Sequence, residues 1–204
     1  MLKKILFITG SAVLLMSSES FAAGDPEAGK TKSAVCAACH GAKGVSTLPV
    51  NPNLAGQVPG YIAGQLKAFK SGERKNAIMA SQVINLSEED MNDLDAFYAS
   101  MPPSKDVSLT EEAAQLAVAG EAIYRGGYAQ RGVSACKACH GPKGSGIAKH
   151  YPRVSGQHME YLEQSLLAFK KGERIGHNGI MYDISFSLSE QQIKELSAYM
   201  AGLK

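Results

Sequence analysis

The chain has 204 residues, 45% of them hydrophobic, which is enough for two compact domains of about 100 residues each. Its formal net charge is only +2. Because nucleic-acid-binding proteins usually carry a marked basic excess on one face, this balance argues against a nucleic-acid partner.

Residues 1–22 are predicted to be a secretory signal peptide. Two lysines precede an apolar run from Ile5 to Met16, and Ser20-Phe21-Ala22 forms a cleavage site before Ala23. The alternative is a retained membrane anchor, but an apolar run of about 12 residues is well below the ~20 needed to span a bilayer. We therefore expect an exported mature protein that begins at Ala23 and has no membrane span.

A helix is predicted directly after the signal peptide, with Asp25 as its N-cap and Pro26 at its first position. A similar helix is predicted to begin near Thr110 and to be stopped by Gly126-Gly127. The second copy lies farther from the cysteine motif that follows it. We therefore expect an extra loop over residues 126–133.

Each of these helices leads into a Cys-x-x-Cys-His-Gly motif, and the two motifs are 100 residues apart. The motif is typical of c-type haem attachment, because two thiols one helical turn apart add to the haem vinyl groups and the adjacent imidazole reaches the iron. Two copies with similar flanks indicate two covalently attached haem c groups. The predicted thioether residues are Cys36, Cys39, Cys136 and Cys139, and the predicted histidine ligands of the iron are His40 and His140.

Three other uses of the cysteines compete with haem: a thioredoxin-like redox pair, a structural zinc site and a disulfide framework. A thioredoxin-like site expects a strand followed by a helix and needs no histidine after the second cysteine. A zinc site needs four clustered ligands, whereas the two cysteine pairs are far apart in sequence. Neither expectation of a thioredoxin-like site is met, and each cysteine pair lies inside its own complete repeat, so we interpret both motifs as haem attachment sites.

Each motif is followed by a loop that contains glycine and proline. A helix follows each loop. Such loops wrap a cofactor more readily than they form regular structure. In the first helix Tyr61, Leu66 and Phe69 share one face and are predicted to be core residues. The loops span 41–59 and 141–157, and the helices span 59–71 and 158–171, ended by Gly72 and Gly172.

Each repeat closes with a helix that a capping box opens. Ser87 starts a run that ends near Tyr98, and Ser189 starts one that ends near Met200. The pattern contains no long alternation typical of a strand. We therefore predict an all-α protein.

Two tandem domains are predicted, each wrapped round one covalently attached haem. Residues 101–106 contain consecutive prolines and are predicted to be extended, because proline resists helix. The predicted domains are 23–103 and 104–204, with a linker at 104–109.

The sixth ligand of each iron separates electron carriers from oxygen-chemistry enzymes. Met79 and Met181 are equivalent, since the offset between the repeats grows from 100 to 102 through a short insertion near 176–179 and then persists. Each is predicted to lie in a loop before the last helix of its repeat and to be the second axial ligand. Four methionines without such a counterpart, Met91, Met101, Met159 and Met200, are assigned to packing.

Three histidines, His150, His158 and His177, have no counterpart in the first repeat. His177 precedes Met181 by four residues and is the alternative axial donor. Surface or supporting roles suit all three better. We assign them no chemistry.

In these features the chain resembles class I cytochromes c, and in tandem form it resembles the cytochrome c4 family of di-haem electron carriers. The resemblance covers residues 23–204 and rests on both haem motifs, the Asn53–Gln57 segment, the repeated Gly-Glu-Arg and the two Ile-Met pairs. It implies a pseudo-two-fold axis, with the haem edges of the two domains facing each other.

The resemblance also implies supporting residues. Pro52 and Pro152, 12 residues beyond each haem histidine, are expected to offer their carbonyl groups to the imidazole Nδ1–H, which fixes the ring and raises its basicity. The second copy departs from the family pattern by having Arg153 where the first has Asn53.

By resemblance, the protein is expected to be a periplasmic electron carrier rather than an enzyme. It would pass electrons from a quinol-oxidising cytochrome complex to a haem-copper terminal oxidase of the cbb3 type. The alternatives are a di-haem peroxidase, for which the sequence offers no distal acid-base set, and a tethered subunit of a membrane complex.

Overall fold

The computed structural model describes residues 24–105, 107–147 and 149–203. The predicted signal peptide and the start of the mature chain at Ala23 lie outside these residues, as does Asp106 of the predicted linker. The described residues form helices and loops without any β-strand, apart from isolated bridges. The prediction of an all-α protein is confirmed.

Over residues 24–105 the structure has five α-helices and one short 3₁₀ segment, Ser33–Val35, which joins the first helix to the haem motif. The helices are α1 (Pro26–Lys32), α2 (Ala37–His40), α3 (Tyr61–Ser71), α4 (Ala77–Val83) and α5 (Glu88–Ser100).

The described residues of the second half repeat this order of helices and include two 3₁₀ segments. The helices are α6 (Glu111–Gly126), α7 (Lys137–His140), α8 (Met159–Lys170), α9 (Ile180–Phe186) and α10 (Glu190–Gly202), and the 3₁₀ segments are Ala129–Arg131 and His177–Gly179.

Local sequence signals set most of these helix ends. The Asp25 side chain accepts a hydrogen bond from Glu27 N at 2.8 Å, as an N-cap residue should. Ser87 and Ser189 both form complete capping boxes. Helix α3 begins at Tyr61 rather than at Pro59, because Gly60 takes a left-handed conformation (φ 86°) at the N-cap.

The first and last helices of each half cross at a glycine. A Cβ atom at Gly29 would lie 2.0 Å from the carbonyl oxygen of Asp93, and one at Gly120 would lie 2.1 Å from that of Glu195. Only glycine allows α1 and α6 to approach α5 and α10 this closely.

Each half has its own hydrophobic core. Cys36 and Met79 border the first core, and Cys136 and Met181 border the second. The fold therefore brings the haem motif and the equivalent methionine of each half to the same core. The fully buried members include Val83, Met91 and Leu94 in the first half and Leu188, Ile193 and Leu196 in the second.

Two further details of the sequence prediction were wrong. Met79 and Met181 lie in the short helices α4 and α9 rather than in loops, because the Asn76 side chain caps α4 by accepting from Met79 N at 2.9 Å and α9 continues the 3₁₀ turn that ends at Gly179. Tyr61 is half-buried rather than core, since its hydroxyl group accepts a hydrogen bond from the other half.

The two halves meet along a polar seam that follows a pseudo-two-fold pattern. Gln157 exchanges two hydrogen bonds with the backbone of Asn53, through Oε1 (2.9 Å) and Nε2 (2.9 Å). Gln57 makes the same exchange with the backbone of Arg153, at 2.7 and 3.2 Å. Lys149 N also donates to the carbonyl of Pro59 at 2.9 Å.

The described residues include no helix with both the length and the apolar character that a bilayer crossing requires.

Candidate haem sites

Each histidine of the two haem motifs is buried and held by a proline carbonyl. His40 is 8% exposed and His140 7%. The Nδ1 atoms lie 2.9 Å from the oxygen of Pro52 and 2.8 Å from that of Pro152. A carbonyl only accepts hydrogen bonds, so Nδ1 carries the proton and Nε2 keeps a free lone pair in both rings.

The environment of both rings favours the neutral imidazole. Burial lowers the pKa of His40 and of His140, and the hydrogen bond to the proline carbonyl opposes this only in part. A neutral ring with a free Nε2 is the form that binds a metal.

Among the described residues the four cysteines form no disulfide bond. Each pair spans the one-turn helix that ends at the haem histidine, with Cys36 at the N-cap of α2 and Cys136 at that of α7. Burial raises the pKa of Cys36, and it raises that of Cys136 to about 11. These thiols therefore lack the thiolate character of a reactive redox pair.

The described residues contain no group of three or more His, Cys, Asp or Glu side chains that could hold a metal ion. Within this part of the chain the fold therefore does not bring together the four ligands that a structural zinc site requires.

Exposed apolar side chains lie close in sequence to each predicted methionine ligand. Ile78 is 68% exposed and Ile84 65%, at or next to the ends of α4, and Phe186 at the end of α9 is 63% exposed. Each methionine itself borders the core that also contacts the first cysteine of its half. A Cys-x-x-Cys pair, a neutral imidazole and a thioether are together the groups that attach and ligate a haem c.

Hydrogen bonds hold the loop after the first motif against the motif itself. Ser46 Oγ donates to the carbonyl of Cys39 at 2.8 Å, and Ser46 N donates to Asn53 Oδ1 at 2.9 Å. In the second half the hydroxyl of Tyr124 donates to the carbonyl of Gly141 at 2.6 Å. The sequence interpretation did not single out Ser46 or Tyr124, because neither recurs at the matching position of the other repeat.

The three histidines outside the motifs lie in two places. His158 Nε2 is 3.0 Å from the carbonyl oxygen of Ser46 and so joins the two halves. The rings of His150 and His177 stack on each other with their centroids 3.6 Å apart. The structure thus gives His158 a structural role and leaves the other pair at the surface.

The seam residues are the main group that sequence reasoning missed. Gln57 and Gln157, Tyr61 and Tyr161, and Arg74 and Arg174 recur in both repeats, but the recurrence alone does not show that these residues meet. Polar residues that repeat next to a core face are a signal for contact between the two copies.

The all-α fold has two similar halves. Each half contains a Cys-x-x-Cys-His motif whose histidine is hydrogen-bonded to a proline carbonyl. These features define a two-haem c-type cytochrome. The family model described as cytochrome c matches residues 26–102 and 117–204. Cytochrome c4 of Pseudomonas aeruginosa is 39% identical over 201 residues, covering 97% of this chain and 98% of that protein.

A solved structure of reduced recombinant cytochrome c4 from Pseudomonas stutzeri superposes with a TM-score of 0.82 and 38% identity, covering 89% of this chain and 100% of that one. A protein named thiosulfate dehydrogenase electron acceptor, from Thiomonas intermedia, is 32% identical over 205 residues, covering 98% of this chain and 91% of that protein. The chain belongs to the cytochrome c4 family.

Membership confirms the predicted cofactors, two covalently bound haem c groups, and supports a di-haem electron-transfer cytochrome. The paired motifs Cys36/Cys39 and Cys136/Cys139 indicate where the two groups attach.

Proposed function

We propose that this protein is a periplasmic electron carrier and not an enzyme, with one iron bound by His40 and Met79 and the other by His140 and Met181. In this role it accepts electrons from a quinol-oxidising cytochrome complex and delivers them to a haem-copper terminal oxidase. Residues 1–22 serve as the signal peptide that directs export, and the domains are 23–103 and 104–204.

The observation that carries this proposal is the matched ligand support in the two halves. In both, a proline carbonyl fixes the histidine Nδ1–H within 2.9 Å, and the methionine lies at an equivalent place beside the same core as the first cysteine. Haem c supplies a one-electron iron couple, and a methionine ligand raises its potential relative to a second histidine.

Rigid support suits a carrier because the ligands need not move when the electron arrives. The His40 ring is fixed by Pro52, and the first turn of α4 is fixed by the Asn76 cap on Met79 N. A peroxidase would instead need an iron with an open position and a nearby acid-base pair.

The name of one relative favours a second candidate donor. The Thiomonas protein, 32% identical over 98% of this chain, is named as the electron acceptor of thiosulfate dehydrogenase. We therefore include thiosulfate dehydrogenase beside the quinol-oxidising complex as a donor to this chain.

Replacement of Met181 by Ala tests the axial assignment. Both haems should stay attached, because the four thioether cysteines and His140 are unchanged, but one iron should lose its sulfur ligand. We expect loss of half of the methionine-to-iron absorbance, a lower potential at one haem, and carbon monoxide binding to that haem when reduced.

Met200→Ala is the matched control, since Met200 is a buried methionine of the same core. It should lower stability and leave the ligand spectrum unchanged. An unchanged spectrum in Met181→Ala would disprove the assignment and direct attention to His177. Carbon monoxide binding by the unaltered reduced protein would favour a peroxidase.

Rapid-mixing kinetics test the choice of donor. The purified di-haem protein is mixed separately with the reduced quinol-oxidising complex and with thiosulfate dehydrogenase plus thiosulfate, and then with the terminal oxidase. Fast reduction by the first and fast oxidation by the oxidase would support the carrier role.

The intact mass of periplasmic protein should equal residues 23–204 plus two haems, and a larger mass that retains the signal segment would indicate a tethered subunit.

A further inference from the structure

A buried serine of the second half has no hydrogen-bonding partner. Ser185 lies in α9, four residues after Met181. It is 0% exposed, and its Oγ atom forms no hydrogen bond with any described residue. Because Ser185 has no accessible surface, the packing leaves no space for a water molecule beside its hydroxyl group. A buried hydroxyl group without an acceptor destabilises the fold.

The equivalent residue of the first half has no polar side-chain atom. The offset of 102 residues that pairs Met79 with Met181 also pairs Val83 with Ser185. Val83 is likewise 0% exposed and belongs to the core that Met79 borders. Because valine fills this place without an unpaired polar atom, packing alone does not account for the serine.

The backbone around Ser185 is held in place on its C-terminal side. Lys170 Nζ donates to the carbonyl oxygens of Phe186 at 2.9 Å and Leu188 at 2.7 Å. Leu188 N donates to the carbonyl of Ser185 itself at 3.2 Å. A rotation of α9 that brought the hydroxyl group to solvent would break these bonds. The acceptor must therefore come to the serine.

The thioether of Met181 is the acceptor that can do so. Residues four apart on a helix share one face, with Cβ atoms about 5–6 Å apart, and helical side chains lean toward the preceding turn. The Ser185 hydroxyl group therefore leans toward the turn of Met181. A methionine side chain has three rotatable bonds, and its sulfur accepts weak hydrogen bonds. Binding to the iron gives that sulfur one fixed position.

We propose that in the haem-bound protein the Ser185 hydroxyl group donates a hydrogen bond to Sδ of Met181. Ser185 is then a positioning residue for the haem of the second half alone, because Val83 offers no donor to Met79. The hydrogen bond withdraws electron density from the sulfur, which favours the ferrous iron and raises the potential of this haem. This inference rests on the proposed ligation by Met181 and is independent of which proteins donate or accept the electrons.

Valine and threonine at position 185 test the proposal, because the two side chains have the same shape and differ by one hydroxyl group. Ser185→Thr keeps the donor and Ser185→Val removes it. In a potentiometric titration of the holoprotein at a fixed applied potential, the reduced-to-oxidised ratio of the second haem should be about threefold lower in Ser185→Val than in Ser185→Thr. The first haem should be the same in both variants. Met181→Ala identifies which titration step belongs to the second haem.

Two further variants separate this contact from a general loss of polarity. Ser197→Ala removes another buried hydroxyl group of the second half, which donates to the carbonyl of Ile193, and should change neither potential. Val83→Thr introduces a donor beside Met79 and should raise the potential of the first haem only. If Ser185→Val does not fold, Val83→Thr decides the matter: an unchanged first haem then overturns the proposal.

A hydrogen bond from Ser185 to the carbonyl of Met181, four residues earlier, is the competing explanation. In that case Ser185→Val would be less stable to urea than Ser185→Thr, but the two variants would have equal potentials at the second haem. That result would overturn the proposal, as would an equal response of both haems.

The methionine-to-iron absorbance distinguishes a failure of this proposal from a failure of the axial assignment. Both variants at position 185 should retain this absorbance, whereas Met181→Ala should lose it at one haem. If Met181→Ala retains it in full, the ligand assignment and this inference fall together. If Met181→Ala loses it but the potentials of Ser185→Val and Ser185→Thr agree, only the hydrogen bond from the serine is refuted.

Discussion

Asp95 is the residue of α5 on which the start of α3 depends. Its carboxylate accepts hydrogen bonds from Gly60 N (2.7 Å), Ile62 N (2.8 Å) and Ala63 N (3.2 Å). Gly60 has no side chain to cap the helix, so a residue 35 positions later in the chain performs this task. We predict that Asp95→Ala is strongly destabilising.

The size of the effect follows from the three donors. Asp95 is 7% exposed, so the substitution leaves buried N–H groups at the positive end of the helix dipole. Hydrogen bonds to a charged group contribute about 1.5–3 kcal/mol each, but they are not additive here because water can reach Gly60. We expect a loss of roughly 3–5 kcal/mol, a large part of the stability of a domain of this size.

Urea unfolding followed by circular dichroism measures this loss, and the matched control is Ser197→Ala. Ser197 is buried at the corresponding place in α10, but its hydroxyl donates only to the carbonyl of Ile193 at 2.8 Å, within its own helix. The control should cost about 1 kcal/mol. Equal losses in the two variants would refute the capping argument, as would a loss below 1 kcal/mol in Asp95→Ala.

Two further predictions concern the helix pairs that close each half. Gly120→Ala should cost roughly 1–3 kcal/mol in urea unfolding, because the new methyl group would overlap the carbonyl of Glu195. An unchanged midpoint would show that α6 can shift away freely. Asp93 lies in α5, and its pKa is lowered by Lys32 at the end of α1 and by the backbone N–H of Asp25. A lowered carboxyl pKa stabilises the fold above the unfolded pKa of about 3.9 and loses this effect as pH falls. Asp93→Asn should therefore be less stable than the parent at pH 7, with a difference that shrinks below about pH 4; a difference independent of pH would contradict the assignment.

Most of the fold could be predicted because local signals set it. Asp25, Ser87 and Ser189 cap their helices as their sequence positions indicate, and the repeat assigned equivalent roles to both halves. The haem motifs are also local, since the thiols and the histidine lie within five residues.

The parts that sequence reasoning missed depend on contacts between distant segments. No local pattern connects Asp95 with the start of α3, and no periodicity distinguishes the half-buried Tyr61 from a core residue. The short helix around Met79 was missed because a single Asn76 cap sets it, within a segment too short for a helical period to show.

The seam between the halves has the form of a contact between two copies of one chain, since Gln157 binds Asn53 as Gln57 binds Arg153. In both exchanges the partner supplies only backbone atoms, so its side chain can differ without loss of these bonds. The asparagine amide reaches the carbonyl of Gly156, whereas the arginine places a cation against Gly56. A duplicated, self-complementary unit joined into one polypeptide can thus hold its symmetry while its two redox centres become chemically unequal, which two separate identical subunits could not achieve.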